Sequence, residues 1–136
     1  MSEIEAGNRT TILVCITCRP PAGALLAEAT TLAIGESADL CVQRVRCLGN
    51  CARGLSAAIR HRNAWTYVFG DLDSERDAET LVVGARLLAQ AADGLMPWRG
   101  RPEPLKRGLI ARVPPPSLMD DPTRPPPSFM DDLTRG

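Results

Sequence analysis

The chain has 136 residues, 44% apolar and 4% aromatic, which is enough for one modest core with appendages. Sixteen basic residues balance sixteen acidic ones without a basic block, which argues against nucleic acid or an anionic membrane as partner. The opening MSEIEAGNRTT lacks the cationic start and apolar stretch of an export signal, and no later run approaches the ~18 uncharged apolar residues of a membrane span. A soluble, cytoplasmic protein is therefore expected.

The N-terminal residues 1–9 read as a flexible lead-in. Thr10 to Val14, β-branched and apolar, predicts a buried strand that stops at Cys15. Pro20-Pro21 suits the first turn of a helix, where a missing N–H costs nothing. Leu25, Leu26, Ala29, Leu32 and Ala33 fall on one face, so a helix is expected from Ala22 to Ile34 with Gly35 as its stop. Leu40 to Arg46 is extended in character and runs into CLGNC at Cys47 to Cys51. Leu55, Ala57 and Ile59, a turn at Arg62-Asn63, then Trp65, Tyr67 and Phe69 describe a β-hairpin. Ser74 and Asp77 form a capping box for a second helix with its stripe at Leu81, Val82, Ala85, Leu88, Ala89 and Ala92, ending before Gly94.

Residues 95–113 are rich in proline and arginine and are expected to cross the domain surface in extended form, anchored by Trp98 and Ile110. From Pro114 the chain repeats itself with a period of eleven residues, PPPSLMDDPTR and then PPPSFMDDLTR. Two polar copies cannot build a core, so residues 114–136 read as a disordered tail. The functional alternative is a bivalent docking peptide anchored by Leu118-Met119 and Phe129-Met130.

The order β-α-β-β-β-α contains one crossover, and crossovers join parallel strands whose ends share an edge of the sheet. Cys15 and Cys18 follow the first strand, Cys47 and Cys51 the second, so topology delivers both pairs to one rim. Thiolates converging from C-x2-C and C-x3-C suit a [2Fe-2S] cluster or Zn²⁺. With no export signal, cysteines at this spacing read as metal or redox groups rather than a disulfide framework. Cys41 stands apart: six extended residues at ~3.3 Å each separate it from Cys47, too far to share a small cluster. It reads as a packed spectator.

The run LVCITCRPP, the loop RVRCLGNCARG and the stretch WTYVFGDLD before a final helix resemble the thioredoxin-like [2Fe-2S] ferredoxins, and more closely a family of small uncharacterised predicted metal-binding proteins related to them. The resemblance spans Thr10 to Val113, and the CLGNC loop is also similar to the cluster loop in the small iron-sulfur subunit of respiratory complex I. It implies an α/β, thioredoxin-like mixed sheet, with Cys15 and Cys18 on one iron and Cys47 and Cys51 on the other. Two departures stand out: the first pair is closer together than is usual, and Gly54-Leu55 stands where a proline often follows the second pair.

Three functional classes follow from these residues. The first is a non-enzymatic carrier of single electrons, with Arg19, Arg44, Arg46 and Arg53 beside the ligands to raise the potential and dock acidic redox partners. The second is a structural zinc module using the same thiolates. The third is a thiol-disulfide oxidoreductase with Cys15 of the C-x2-C pair as attacking thiolate, which leaves Cys47 and Cys51 unexplained. A homodimer is compatible with each. The single histidine, His61, falls at the hairpin turn as a surface residue, and no Ser-His-Asp or paired-carboxylate pattern supports hydrolysis. A Cys41→Ala variant is expected to keep its metal content, measured by elemental analysis; a folded variant that cannot retain metal would overturn the spectator assignment.

Overall fold

The computed structural model describes residues 9–115. The flexible N-terminus expected before residue 9 and the repeat from 116 onward, with the disorder and docking attached to it, lie outside the described residues. The elements in order are β1 (Thr10–Cys15), α1 (Ala22–Ile34), β2 (Leu40–Val45), a 3-10 turn (Cys51–Arg53), β3 (Ala57–Arg60), β4 (Thr66–Phe69), α2 (Asp77–Gln90), α3 (Glu103–Arg107) and β5 (Leu109–Val113). The strands form one five-stranded sheet in the order β2-β1-β3-β4-β5. β1 and β2 are parallel, and the remaining neighbours are antiparallel.

Both long helices pack on β1 and against each other. The core between them holds Ile12 and Val14 from β1, Leu26 and Ala27 from α1, and Leu81, Ala85 and Leu88 from α2, none more than 1% exposed. Each larger aliphatic side chain buried in this way contributes ~1.5–3 kcal/mol. Among the described residues no helix is long and apolar enough to cross a membrane.

The phase of α1 differs from the sequence reading. Leu25 and Leu32 are 50% and 76% exposed, and the buried set is Gly23, Leu26, Ala27 and Thr30. That set has the same helical spacing but is carried by small and hydroxyl residues that an apolar count overlooks. Thr30 is tolerated at full burial because its hydroxyl donates back to Leu26 O at 2.7 Å. The proline pair also lies before the helix rather than in its first turn, since Pro21 is the N-cap.

The expected capping box does not form at α2, whose N-cap is Arg76 without a side-chain cap bond, and the polar bonds lie in the turn before it. Asp73, not Ser74, makes the bonds: its Oδ1 accepts from the N–H groups of Glu75 and Arg76 at 2.8 and 3.0 Å, while Asp77 Oδ2 accepts from Asp73 N–H at 2.7 Å. These bonds to its charged form hold the Asp73 carboxyl below the usual carboxylate range.

Residues 95–113 do more than cross the surface. They form α3 and then β5, which closes the sheet against β4 with a register shift at Val68/Phe69. The segment is anchored by Arg101, 3% exposed, whose guanidinium lies 5.5 Å from the Tyr67 ring and 5.3 Å from Trp98. Arg101 Nε donates to Pro97 O at 3.2 Å, its Nη2 donates to Met96 O, and Met96 N–H donates to Tyr67 Oη at 2.9 Å. The rings and carbonyls together compensate the buried charge.

α2 approaches the sheet closely at Gly84, where a β-carbon would stand 2.4 Å from Leu105 Cδ1 and 3.0 Å from Ile59 Cδ1. Gly84→Ala is expected to destabilise the fold by ~1–3 kcal/mol through overpacking, despite the higher helix propensity of alanine. Chemical denaturation measures this; an equal or higher stability would show that α3 yields freely.

Candidate functional site

Cys15 ends β1 directly opposite Val45, the last residue of β2, so the turn after each strand emerges on the same edge. Pairing continues one step beyond, with Ile16 N–H donating to Val45 O at 2.9 Å, and on the other side Cys15 N–H donates to Ser56 O at 3.1 Å. The chain then turns back into α1, where Gly23 N–H donates to Cys18 O at 3.1 Å. A β-carbon at Gly23 would lie 2.3 Å from Cys15 O. Only glycine lets α1 sit this close to the cysteine turn.

Within that turn Cys15 and Cys18 are brought together. The Cys18 thiol donates to Cys15 Sγ at 3.2 Å, and the two residues are 1% and 4% exposed. Burial pushes the Cys15 thiol up, but hydrogen bonds from Cys18, from the Thr17 hydroxyl and from the N–H groups of Thr17 and Leu48 outweigh it and leave Cys15 below the ordinary thiol value. Cys18 goes the other way. Burial, its bond to Cys15 and the charge of Cys15 push it to about 11, against a smaller opposing pull from the Ser56 N–H, with Cys51 adding a further upward push.

The second pair lies in the loop after β2. Cys47 and Cys51 are exposed, and Cys47 Sγ accepts from Gly49 N–H at 3.1 Å, a turn permitted by the positive φ of Gly49, 71°. The loop touches the first pair at two points: Leu48 N–H reaches Cys15, and the charge of Cys51 acts on Cys18. Its far end is clamped. Arg53 Nε and Nη2 donate to Asp71 Oδ2 at 2.9 and 2.6 Å, while Asp71 N–H donates to Arg53 O at 2.6 Å. Asn50 Nδ2 donates to Ser56 Oγ at 3.3 Å, and Ser56 Oγ donates to Phe69 O at 3.0 Å. Gly70 makes room for this, since a β-carbon there would stand 2.6 Å from Arg53 O and 2.8 Å from Asn50 Nδ2. Sequence reasoning missed Asn50, Ser56, Gly70 and Asp71, whose partners are distant in the chain; the one visible signal was Gly70-Asp71 inside VFGDLD.

Cys41 sits in β2 opposite Thr11, four rungs from Cys15, with its sulfur 3.3 Å from Thr11 Oγ1. His61 is half-buried and bonded through Nδ1 to Thr10 Oγ1 at 2.8 Å, so it fastens the hairpin turn to β1 rather than standing free at the surface.

The described cysteines are all free thiols. Two thiolates on one tetrahedral metal at ~2.3 Å stand about 3.8 Å apart, so Cys15 and Cys18 need only a small side-chain rotation to chelate. Among the described residues no group of three or more His, Cys, Asp or Glu is gathered closely enough to hold one metal ion. The structure brings Cys15 and Cys18 together and leaves Cys47 and Cys51 exposed in the loop after β2, without closing one cage around all four.

The sheet order, its one parallel pair and the helices packed on β1 define a thioredoxin-like α/β fold. The chain belongs to the family described as "Protein of unknown function (DUF1636)", whose model matches residues 12–115. A thioredoxin-like [2Fe-2S] ferredoxin from Aquifex aeolicus shares this fold at 15% identity with a TM-score of 0.54, over 90% of this chain and 99% of its own. A wild-type crystal structure of such a ferredoxin from the same organism gives 15% identity and a TM-score of 0.52, over 76% and 98% of the two chains. A cysteine-to-serine variant gives 14% and 0.50 over 75% and 98%. No curated protein matches.

The opposed shifts of the first pair set the pH behaviour of the metal-free protein. Ultraviolet thiolate absorbance is expected to show Cys15 ionising below the ordinary thiol range and Cys18 at about 11. Because the Cys18 value is raised above its unfolded value of 9.0, the stability that it contributes is present below pH 9.0 and lost as pH rises through about 11. Cys18→Ala removes a donor to Cys15 and is expected to raise the Cys15 ionisation; an unchanged first step would refute the coupling.

Proposed function

We propose that the protein is a cytoplasmic [2Fe-2S] electron carrier in which Cys15 and Cys18 hold one iron and Cys47 and Cys51 the other. The observation that carries this reading is the parallel β1–β2 pairing, which brings both cysteine pairs to one edge of the sheet. Bound there, the cluster supplies a one-electron couple. The chain supplies its surroundings. N–H groups of Thr17, Leu48 and Ser56 face the first pair, and that of Gly49 faces Cys47. Donors aimed at sulfur disperse negative charge and raise the potential.

The arginines refine the partner. Arg53 is bound to Asp71, so it serves the loop clamp. Arg19, Arg44 and Arg46 are exposed and make no ion pair among the described residues, and they flank the first cysteine turn and the end of β2. A cationic rim beside exposed Cys47 and Cys51 favours an acidic redox protein. Neither nucleic acid nor a membrane enters this reading.

A second reading has its own observation. The 3.2 Å separation of the Cys15 and Cys18 sulfurs, with one thiol lowered and the other raised, suits thiol-disulfide exchange at the first pair. It assigns nothing to Cys47 and Cys51.

Anaerobically purified protein should show visible cluster absorption with iron and sulfide in equal amounts; a colourless protein with stoichiometric zinc would give the site to the zinc module. Serine at Cys15, Cys18, Cys47 or Cys51 should lose the cluster or shift its spectrum. If the Cys47 and Cys51 variants keep wild-type spectrum and metal while only Cys15 and Cys18 support disulfide reduction, the exchange reading replaces the carrier. Electron transfer to an acidic flavodoxin should slow about tenfold or more between low salt and ~0.5 M salt, and Arg46→Gln should weaken that dependence. A rate indifferent to salt would remove the arginine rim from the proposal.

A further inference from the structure

We infer that Ser56 is the positioning residue that sets the two cysteine pairs against one another. Ser56 is fully buried just before β3 and meets both pairs with different groups. Its main chain grips the first pair, the carbonyl accepting from Cys15 N–H at 3.1 Å. Its side chain grips the second pair's loop: Oγ accepts from Asn50 Nδ2 at 3.3 Å while donating to Phe69 O at 3.0 Å. Asn50 directly precedes Cys51, so the hydroxyl ties the second pair's loop to Phe69 at the end of β4 while the same residue's main chain holds Cys15.

The surroundings explain why a hydroxyl stands here. A hydroxyl donates and accepts at once, as no aliphatic side chain of this size can. Alanine would leave the fully buried Phe69 carbonyl without this donor and the half-buried Asn50 amide without this acceptor. Asn50 is confined from the other side at Gly70, where a β-carbon would come within 2.8 Å of its amide nitrogen. Gly54 is packed as closely, since a β-carbon there would stand 3.1 Å from Cys18 Sγ. Held between these contacts, the Asn50–Ser56 bond fixes loop against turn.

The inference rests on the carrier reading for its consequence, yet it is testable without the cluster. Ser56→Ala, Asn50→Ala and the double variant are compared in the full chain. In the metal-free protein, amide hydrogen exchange over residues 47–53 should quicken about fivefold in each single variant, the worth of one hydrogen bond, and no further in the double. In iron-sulfur protein of unchanged iron and sulfide content, both singles should displace the midpoint potential and alter the EPR line shape in the same sense, again without addition. Ser56→Thr, which keeps the hydroxyl, should restore the exchange rates. Additive effects, or variants that lower only the melting temperature while loop exchange and potential stay at wild-type values, would overturn the inference. Asn50→Ala, at the half-buried end of the bond, decides the question if Ser56→Ala fails to fold. A wild-type chain that acquires no cluster sinks the carrier reading, while the metal-free exchange result still decides the role of Ser56.

Discussion

Everything at the cysteine rim depends on the parallel pairing of β1 with β2. Parallel strands cannot be joined by a tight turn, so the chain must cross over through α1 and re-enter from the same side. The register with Thr10 opposite Leu40 and Cys15 opposite Val45 brings two loops distant in sequence out at one edge. A slip of one residue would turn Ile12 and Val14, both fully buried, away from the helices. The core therefore enforces the register, and the register delivers the cysteines.

The two pairs then live in different environments. The first is enclosed between the α1 start and the β3 start, where Gly23 and Gly54 allow contact too close for a side chain. Burial alone would disfavour both thiolates there; hydrogen bonds concentrate on Cys15 and leave the penalty with Cys18. The second pair is exposed on a loop that has little core of its own, and polar ties to Asp71 and Ser56, given room by Gly70, substitute for it.

The C-terminal part of the domain supports the same edge indirectly. β5 covers β4, and Arg101 is enclosed by Tyr67, Trp98 and the carbonyls of Met96 and Pro97. Gly70, at the end of β4, donates its N–H to Gly108 O at 2.8 Å, so the strand that anchors the Arg53–Asp71 clamp is itself held by the α3–β5 junction. Breaking a buried arginine site of this kind leaves a charge without compensation, which ties the order of this segment to the whole sheet.

Periodicity and punctuation in the sequence were enough for the element order through α2, the span of α1 and the hairpin. These features depend on local propensity and on the handedness of a crossover, which operate within short stretches of chain. The phase of α1 was not legible, because Gly23 and Thr30 carry no apolar signal and are buried only where α1 meets the cysteine turn and its own backbone. Nor was the uncapped start of α2 at Asp77, since the Asp73 carboxylate bonds the Glu75 and Arg76 N–H groups in the turn before the helix. The fifth strand, hidden in a proline-rich segment, needed β4 as its template and Tyr67 with Trp98 to receive Arg101. Cysteine spacing by itself singles out the four thiols on which the proposed function rests. Only the tertiary structure decided how they differ, because the shielding of Cys15 and Cys18, the exposure of Cys47 and Cys51, and the Ser56 hydroxyl between them arise from contacts across the sheet that no single stretch of sequence contains.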